Sequence, residues 1–254
     1  MEIDNLIEHR RNDFIRASVM SDEFIDFVKK NKEPYDTLIS YYRCAMMEIE
    51  TKFKVLNEQF SLQYDRNPIE SIKTRIKSTD SLIRKIRDKN IPITINSIEE
   101  NINDIAGIRI ICSFPNDIYT LADCLTQQDD ITLIKKKDYV KNPKPNGYRS
   151  LHLIVSVPIF LRNEKRNVKV EVQLRTIAMD NWASLEHKLR YKKNLPPEQL
   201  RKLSLDLNEC AKLSVELDYR MQRLYDEIRE NSVKSNDKIS TQFQLMPRYL
   251  FDKF

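Results

Sequence analysis

Apolar residues at Ile39, Tyr42, Met46, Ile49, Phe53, Leu56 and Phe60 are spaced alternately by three and four positions, which predicts a helix over 35–64 with one apolar stripe. Asn67-Pro68 ends it, because the residue before a proline is pushed out of the helical region. The same alternation returns after Pro196, where Leu200, Leu203, Leu207, Cys210, Ser214, Leu217, Met221, Leu224 and Ile228 form a heptad seam. Two such helices can pack on each other within one subunit, supply a subunit interface, or divide the two roles. Shorter helices are predicted near 79–89, capped by Ser78 or Thr79 with Leu82, Ile83 and Ile86 inward, and at 97–100, where Ser-Ile-Glu-Glu reads as a capping box. Two more are predicted at 116–128 and 176–193, the latter with Ala178, Trp182, Leu185 and Leu189 on one stripe.

Elsewhere the pattern is strand-like. Residues 105–114 are rich in isoleucine, residues 131–140 lead into a basic loop, and 148–157 and 168–175 alternate apolar with polar. The last two are joined by the polar stretch 162–167 and are predicted to pair antiparallel. Alternation puts Lys169, Glu171, Gln173 and Arg175 on one face, and Tyr148, Ser150 and His152 on one face of the neighbouring strand. That surface reads equally as an ordinary solvent face or as a site. Asp104, just before the isoleucine strand, is either a turn residue or a second carboxylate near Glu171, and two carboxylates from adjacent strands are a common way to hold Mg²⁺ beside phosphates. Arg109 lies five positions after Asp104, so strict alternation opposes them; a bulge at Gly107 would reconcile the two.

Charge sharpens this picture. The net charge of +5 is mild, but residues 73–89 carry seven basic and two acidic groups, and residues 135–149 six basic and one acidic. Each patch reads as a solvated face or as a seat for a polyanion. The chain has only two glycines, Gly107 and Gly147, so a glycine-rich phosphate loop is excluded and phosphates must be held by side chains such as Arg75, Lys77 and Lys85. Pro145-Asn146-Gly147 is a turn signal leading into the strand that carries Tyr148. Four scattered cysteines and three scattered histidines make structural zinc or a disulfide framework a poor fit. No signal-peptide core or membrane-length apolar run is present, so a cytoplasmic protein is expected, with no membrane or DNA partner.

Four co-linear segments now converge. Arg75–Lys85 (RIKSTDSLIRK), Asp104–Phe114 (DIAGIRIICSF), Pro143–Leu153 (PKPNGYRSLHL) and Val170–Lys188 (VEVQLRTIAMDNWASLEHK) resemble the successive motifs of the RelA/SpoT-type (p)ppGpp synthetase domain, and within it the small alarmone synthetases of the RelP-type subgroup. The resemblance spans roughly 45–230 and implies an α+β fold related to nucleotidyltransferases, with a mixed sheet of about five strands flanked by helices and long N- and C-terminal helices. It divides the chain into an N-terminal extension (1–34), a synthetase domain (35–231) and a C-terminal tail (232–254) whose aromatic end can dock on the body or on a partner. The implied activity is transfer of the pyrophosphate group of ATP to the 3′-hydroxyl of GDP or GTP, with Mg²⁺, in the stringent response. Asp104 and Glu171 resemble the metal-binding carboxylates, Glu171 also taking the 3′-hydroxyl proton. Arg75, Lys77, Ser81, Lys85, Arg109 and Arg175 resemble ATP-site residues, with Arg75 and Arg109 flanking adenine. Lys144, Tyr148, His152, Gln173 and Asp180 resemble the guanine-nucleotide side, with Tyr148 as stacking platform and Asp180 at the guanine edge. A homotetramer is implied, and the absence of a His-Asp dipeptide points to synthesis only. The rival expectations are transfer to the 3′ end of tRNA and a catalytically silent RNA-binding regulator.

Overall fold

The computed structural model describes residues 22–64, 66–190 and 196–244. A short helix α1 (residues 22–30) leads into the long helix α2 (Lys32–Tyr64). Then come β1 (Ile69–Ile76), α3 (Thr79–Asp88), α4 (Ile95–Asn101), β2 (Ala106–Cys112), α5 (Pro115–Thr126), β3 (Thr132–Asp138), β4 (Leu151–Phe160), β5 (Lys165–Thr176), α6 (Ile177–Arg190) and α7 (Pro197–Gln244). The strands form one mixed sheet in the order β1-β2-β5-β4-β3. Only β2 and β5 run parallel, and β4 pairs with β5 antiparallel as the alternation predicted.

The period of two makes one face of this sheet a core. Ile108 and Ile110 of β2, Leu153, Val155 and Val157 of β4, and Val170, Val172 and Leu174 of β5 are all buried. Helix α2 lies across that face and buries Tyr42, Ala45, Ile49 and Phe53 against β2, β4 and β5. Each fully buried Ile, Leu or Phe side chain contributes about 1.5–3 kcal/mol. The apolar demand is met on this one face, which leaves the other free for polar side chains. Among the described residues no helix is long and apolar enough to cross a membrane.

Several local expectations change. Strand β1 is not visible in the alternation, because a register shift between Ile69 and Ser71 resets its phase and leaves only Ile72, Thr74 and Ile76 in step. Ser78 is the cap of α3, accepting from Ser81 N, and Asn90 ends that helix with φ +50. The cap of α4 is Thr94, accepting from Ser97 N at 3.1 Å, so the helix begins before the expected capping box. The body reaches back past residue 35, since Phe24 of α1 is buried against the core and packs edge-on with Tyr35 at 6.0 Å. Helix α7 continues through residue 231 to Gln244 without a break. Residues 1–21 of the N-terminal extension and the aromatic end from 245 onward lie outside the described residues.

The seam on α7 divides. Leu207 is buried with Ala211 and Trp182, whereas Leu217, Met221, Leu224 and Ile228 are exposed. Leu185 and Leu189 of α6 are exposed as well, while Met179 and Trp182 turn inward, so the buried stripe of α6 is rotated from the expected one.

Candidate active site

The polar face of the sheet is built in register. Lys73 pairs with Arg109, Arg109 with Gln173, Gln173 with His152 and His152 with Lys137, a single row across all five strands. The next row is Arg75, Gly107, Glu171, Ile154 and Lys135. Glu171 thus sits on the central strand with no side chain beside it at Gly107. A Cβ at Gly107 would meet only Arg75 O, at an ordinary 3.7 Å, so neither strain nor close approach requires this glycine. What it provides is open floor between Arg75 and Glu171.

Asp104 reaches the same floor from the segment before β2. Because it precedes the first paired residue, Ala106, strand alternation does not apply to it, and the expected bulge at Gly107 is absent. The only irregularity of the β1–β2 pair lies at Ile69/Ser71. Lys77 and Lys85 both bind Asp104 Oδ2, at 3.0 and 2.7 Å, while Asp104 Oδ1 is buried and without a hydrogen-bond partner. Burial pushes the Asp104 pKa up, but the hydrogen bonds and charges of Lys85 and Lys77 outweigh it and hold the carboxyl below its usual range. Glu171 follows the same logic. Burial raises it, and hydrogen bonds from His152 (Nδ1 to Oε1, 3.5 Å) and Gln173 (Nε2 to Oε2, 2.8 Å) bring it below the usual value. Both groups are therefore ionised at neutral pH.

Two cavities meet at this carboxylate pair. One, of about 270 Å³, is walled by Lys73, Arg75, Arg109 and Gln173; the other, of about 160 Å³, by Lys85, Lys89, Lys135, Lys137 and His152. Asp104 and Glu171 line both. Among the described residues no three His, Cys, Asp or Glu side chains converge on a point. Two anionic carboxylates, one with an orphaned buried oxygen, match the oxygen donors a hard divalent cation takes when substrate phosphates complete its shell.

The residues expected on the guanine-nucleotide side gather around Tyr148. The turn is real: Gly147 N donates to Lys144 O at 2.8 Å, and Gly147 has φ +88. The strand begins only at Leu151, so Tyr148 stands just before it. Its hydroxyl contacts His152 Nε2 at 2.8 Å, Ser150 Oγ at 3.0 Å and Arg175 Nη2 at 2.6 Å. Lys144 Nζ lies 4.9 Å from the Tyr148 ring centre and the same distance from that of Tyr139. Arg175 is buried beneath this group, donating to Gln173 Oε1 and to Asp180 Oδ1, and lines neither cavity. Asp180 also binds Arg109 at 3.1 Å and Lys73 at 2.8 Å. Burial raises its pKa, and Lys73, Arg109 and Arg175 bring it below the usual range. Ser81 lies in the first turn of α3, its hydroxyl bonded to Ser78, and lines neither cavity.

The structure adds residues that sequence reasoning missed. Lys73 alternates with Arg75 on one face of β1, with Lys77 one residue past its end, a signal lost together with that strand. Lys135 and Lys137 share a face on β3 and lie opposite Ile154 and His152.

Two predictions concern the glycines. Gly107→Val should leave the melting temperature unchanged and weaken ligand binding in the cavity it lines about tenfold, since its branches project into open cavity rather than into packed neighbours; Gly107→Ala, compared in the same binding assay, should be near neutral. Gly147→Ala should destabilise by at least about 2 kcal/mol, from the positive φ together with a Cβ placed 2.5 Å from Ala211 Cβ. Urea unfolding measures it, and a loss under about 0.5 kcal/mol, the ordinary range for a surface substitution, would contradict the packing described.

An open sheet that sets paired carboxylates among many cations suits phosphate-rich ligands, and relatives bear on which. Residues 74–195 match the family described as the region found in RelA / SpoT proteins. The chain belongs to this RelA/SpoT family. It is 43% identical over 204 residues to GTP pyrophosphokinase YwaC of Bacillus subtilis, covering 80% of this chain and 96% of that one. GTP pyrophosphokinase YjbM of the same organism is 36% identical over 191 residues, covering 74% and 87%. Among solved structures, Bacillus subtilis small alarmone synthetase 2 superposes with a TM-score of 0.68 at 42% identity, covering 77% of this chain and 100% of that one. Small alarmone synthetase 1 of that organism, bound to its product pppGpp, gives 0.69 at 34% identity, covering 77% and 98%.

Proposed function

We propose that this protein is a (p)ppGpp synthetase, transferring the pyrophosphoryl group of ATP to the ribose 3′-hydroxyl of GDP or GTP and releasing AMP. The observation that carries the reading is the pair of cation-walled cavities that meet at Asp104 and Glu171. Relatives named GTP pyrophosphokinase and a related synthetase bound to pppGpp support it. The 3′-oxygen attacks the β-phosphorus of ATP, the bond from that phosphorus to the α,β-bridging oxygen breaks, and AMP leaves. Such chemistry depends mainly on positioning and charge.

Arg75 and Arg109 flank the adenine, and Lys77 and Lys85, which here bind Asp104, take the donor phosphates. Ser81 serves the same side from the start of α3, and Arg175 acts on ATP through the guanidinium cluster with Arg109 and Asp180. Tyr148 carries the guanine, with Lys144, His152 and Gln173 beside the acceptor. Asp180 reads the guanine edge, since a carboxylate offers acceptors to its two donors. Asp104 and Glu171 would hold Mg²⁺, which when bound neutralises phosphate charge. Glu171 in the resting site is a weak base because His152 and Gln173 hydrogen-bond its charged form. Once His152 turns to the acceptor, that restraint falls and Glu171 accepts the 3′-hydroxyl proton. The exposed apolar residues Leu217, Met221, Leu224 and Ile228 of α7 support assembly of copies, read here as the homotetramer, and nucleotide substrates favour a cytoplasmic protein.

The test is incubation of purified protein with labelled ATP, Mg²⁺ and, in turn, GDP, GTP and tRNA. Label on GDP and GTP is expected. Label on tRNA alone, or on nothing, would overturn the reading.

A further inference from the structure

Helix α7 does more than cover an edge. Its inner side forms a small apolar cluster with α6, in which Trp182, Leu207 and Ala211 are buried and Tyr148, Ala183 and Leu203 pack around them. Trp182 Nε1 donates to Leu207 O at 2.9 Å, which ties the helices together. The turn at Gly147 rests directly on this cluster, close to Ala211, Asn208 and Trp182. The platform tyrosine therefore leans on α7 and not on the main core.

About two turns beyond Ala211, Asp218 is buried on the same helix. Its Oδ2 receives two donors. Arg149 Nη1 lies 3.4 Å away, and Thr176 Oγ1 donates at 3.0 Å. Arg149 is the residue after Tyr148. Thr176 is the last residue of β5, and its hydroxyl also accepts from Met179 N at 3.1 Å, which caps the first turn of α6. That turn carries Asp180. A single buried carboxylate thus holds both chain segments that present the guanine-side groups, one residue from Tyr148 and four from Asp180. Burying a carboxylate is costly unless it is paired and hydrogen-bonded, and Arg149 and Thr176 supply that pairing.

We propose that Asp218 is a positioning residue for the guanine nucleotide, locking the Tyr148 turn and the start of α6 at the separation the base requires; this rests on the synthetase reading above. It touches no substrate and acts through Arg149 and Thr176.

The test compares steady-state kinetics and melting temperatures for wild type, Asp218→Asn, Thr176→Val, Thr176→Ser and Gln222→Ala. Gln222 accepts from Asn116 N at 3.1 Å and anchors α7 to α5 away from the site, so it controls for loosening of the helix alone. Asp218→Asn should raise the KM for GDP and GTP about tenfold, the loss typical of removing a residue that orients a binding group, with the KM for ATP within about twofold. Thr176→Val should do the same and Thr176→Ser should restore the wild-type value, which keeps the proposal testable if Asp218→Asn fails to fold. Gln222→Ala should lower the melting temperature and move neither KM. A parallel rise of both KM values, a fall in melting temperature with the guanine KM unchanged, or the same guanine shift in Gln222→Ala would overturn it. Absence of transfer to GDP and GTP by the wild type, measured first, would instead remove the reading beneath it.

Discussion

Glu171→Gln should lower kcat for pyrophosphoryl transfer by about 10³-fold, within the range expected when an acid–base or metal-binding carboxylate is lost. The substitution keeps the shape of the side chain and removes its charge. Glu171 lies at the centre of the open face and lines both cavities, so no other carboxylate can take its place except Asp104, which two lysines already engage. Stability should fall slightly. Hydrogen bonds from His152 and Gln173 outweigh burial and the like charge of Asp104 and hold the Glu171 pKa below its usual value, so at neutral pH its ionised form favours the folded state. The Mg²⁺ concentration for half-maximal rate should rise as well. Transfer of label from ATP to GDP, read beside a thermal melt, checks all three. Unchanged product formation would sink the assignment of the carboxylate pair.

Tyr148→Ala carries the second large effect. Stacking a base on an aromatic ring is worth about 1–3 kcal/mol by alanine substitution, which corresponds to a rise of roughly 5- to 150-fold in the KM for the guanine nucleotide. The KM for ATP should change little, because Tyr148 does not line the cavity walled by Arg75 and Arg109. The tyrosine is also a hub, with His152, Ser150 and Arg175 on its hydroxyl. Tyr148→Phe separates the two contributions: it keeps the ring and should retain most of the affinity, while freeing His152. Parallel increases in the KM for both nucleotides would show that Tyr148 is a general structural support and not the guanine platform.

Much of this site was legible in the chain. The period of two in 168–175 and in 148–157 already placed Glu171, Gln173 and His152 on one surface, and the antiparallel pairing sets His152 opposite Gln173. Lys144, Gly147 and Tyr148 were legible as a turn entering a strand. The α+β class and the mixed sheet follow from the same patterns together with the family resemblance. Strand β1 was not legible, because its bulge breaks the alternation. With it went Lys73, whose partner Asp180 is 107 residues away. The position of Asp104 was legible only as a possibility, since a residue outside a strand inherits no face from it.

The sequence by itself determined what local periodicity can encode: which residues share a helix stripe or a strand face, where turns fall, and where positive charge gathers. Only the tertiary structure decided what depends on partners distant in the chain. It set β2 parallel beside β5, bringing Gly107 against Glu171 and opening the floor between the cavities. It buried Leu207 of the α7 seam and left Leu200, Leu217, Met221, Leu224 and Ile228 exposed, although all keep the same spacing. It also placed Arg175 beneath Tyr148 and Asp218 behind Arg149 and Thr176. Spacing fixes the direction of a side chain relative to its own backbone, whereas burial and pairing are fixed by whatever element packs there.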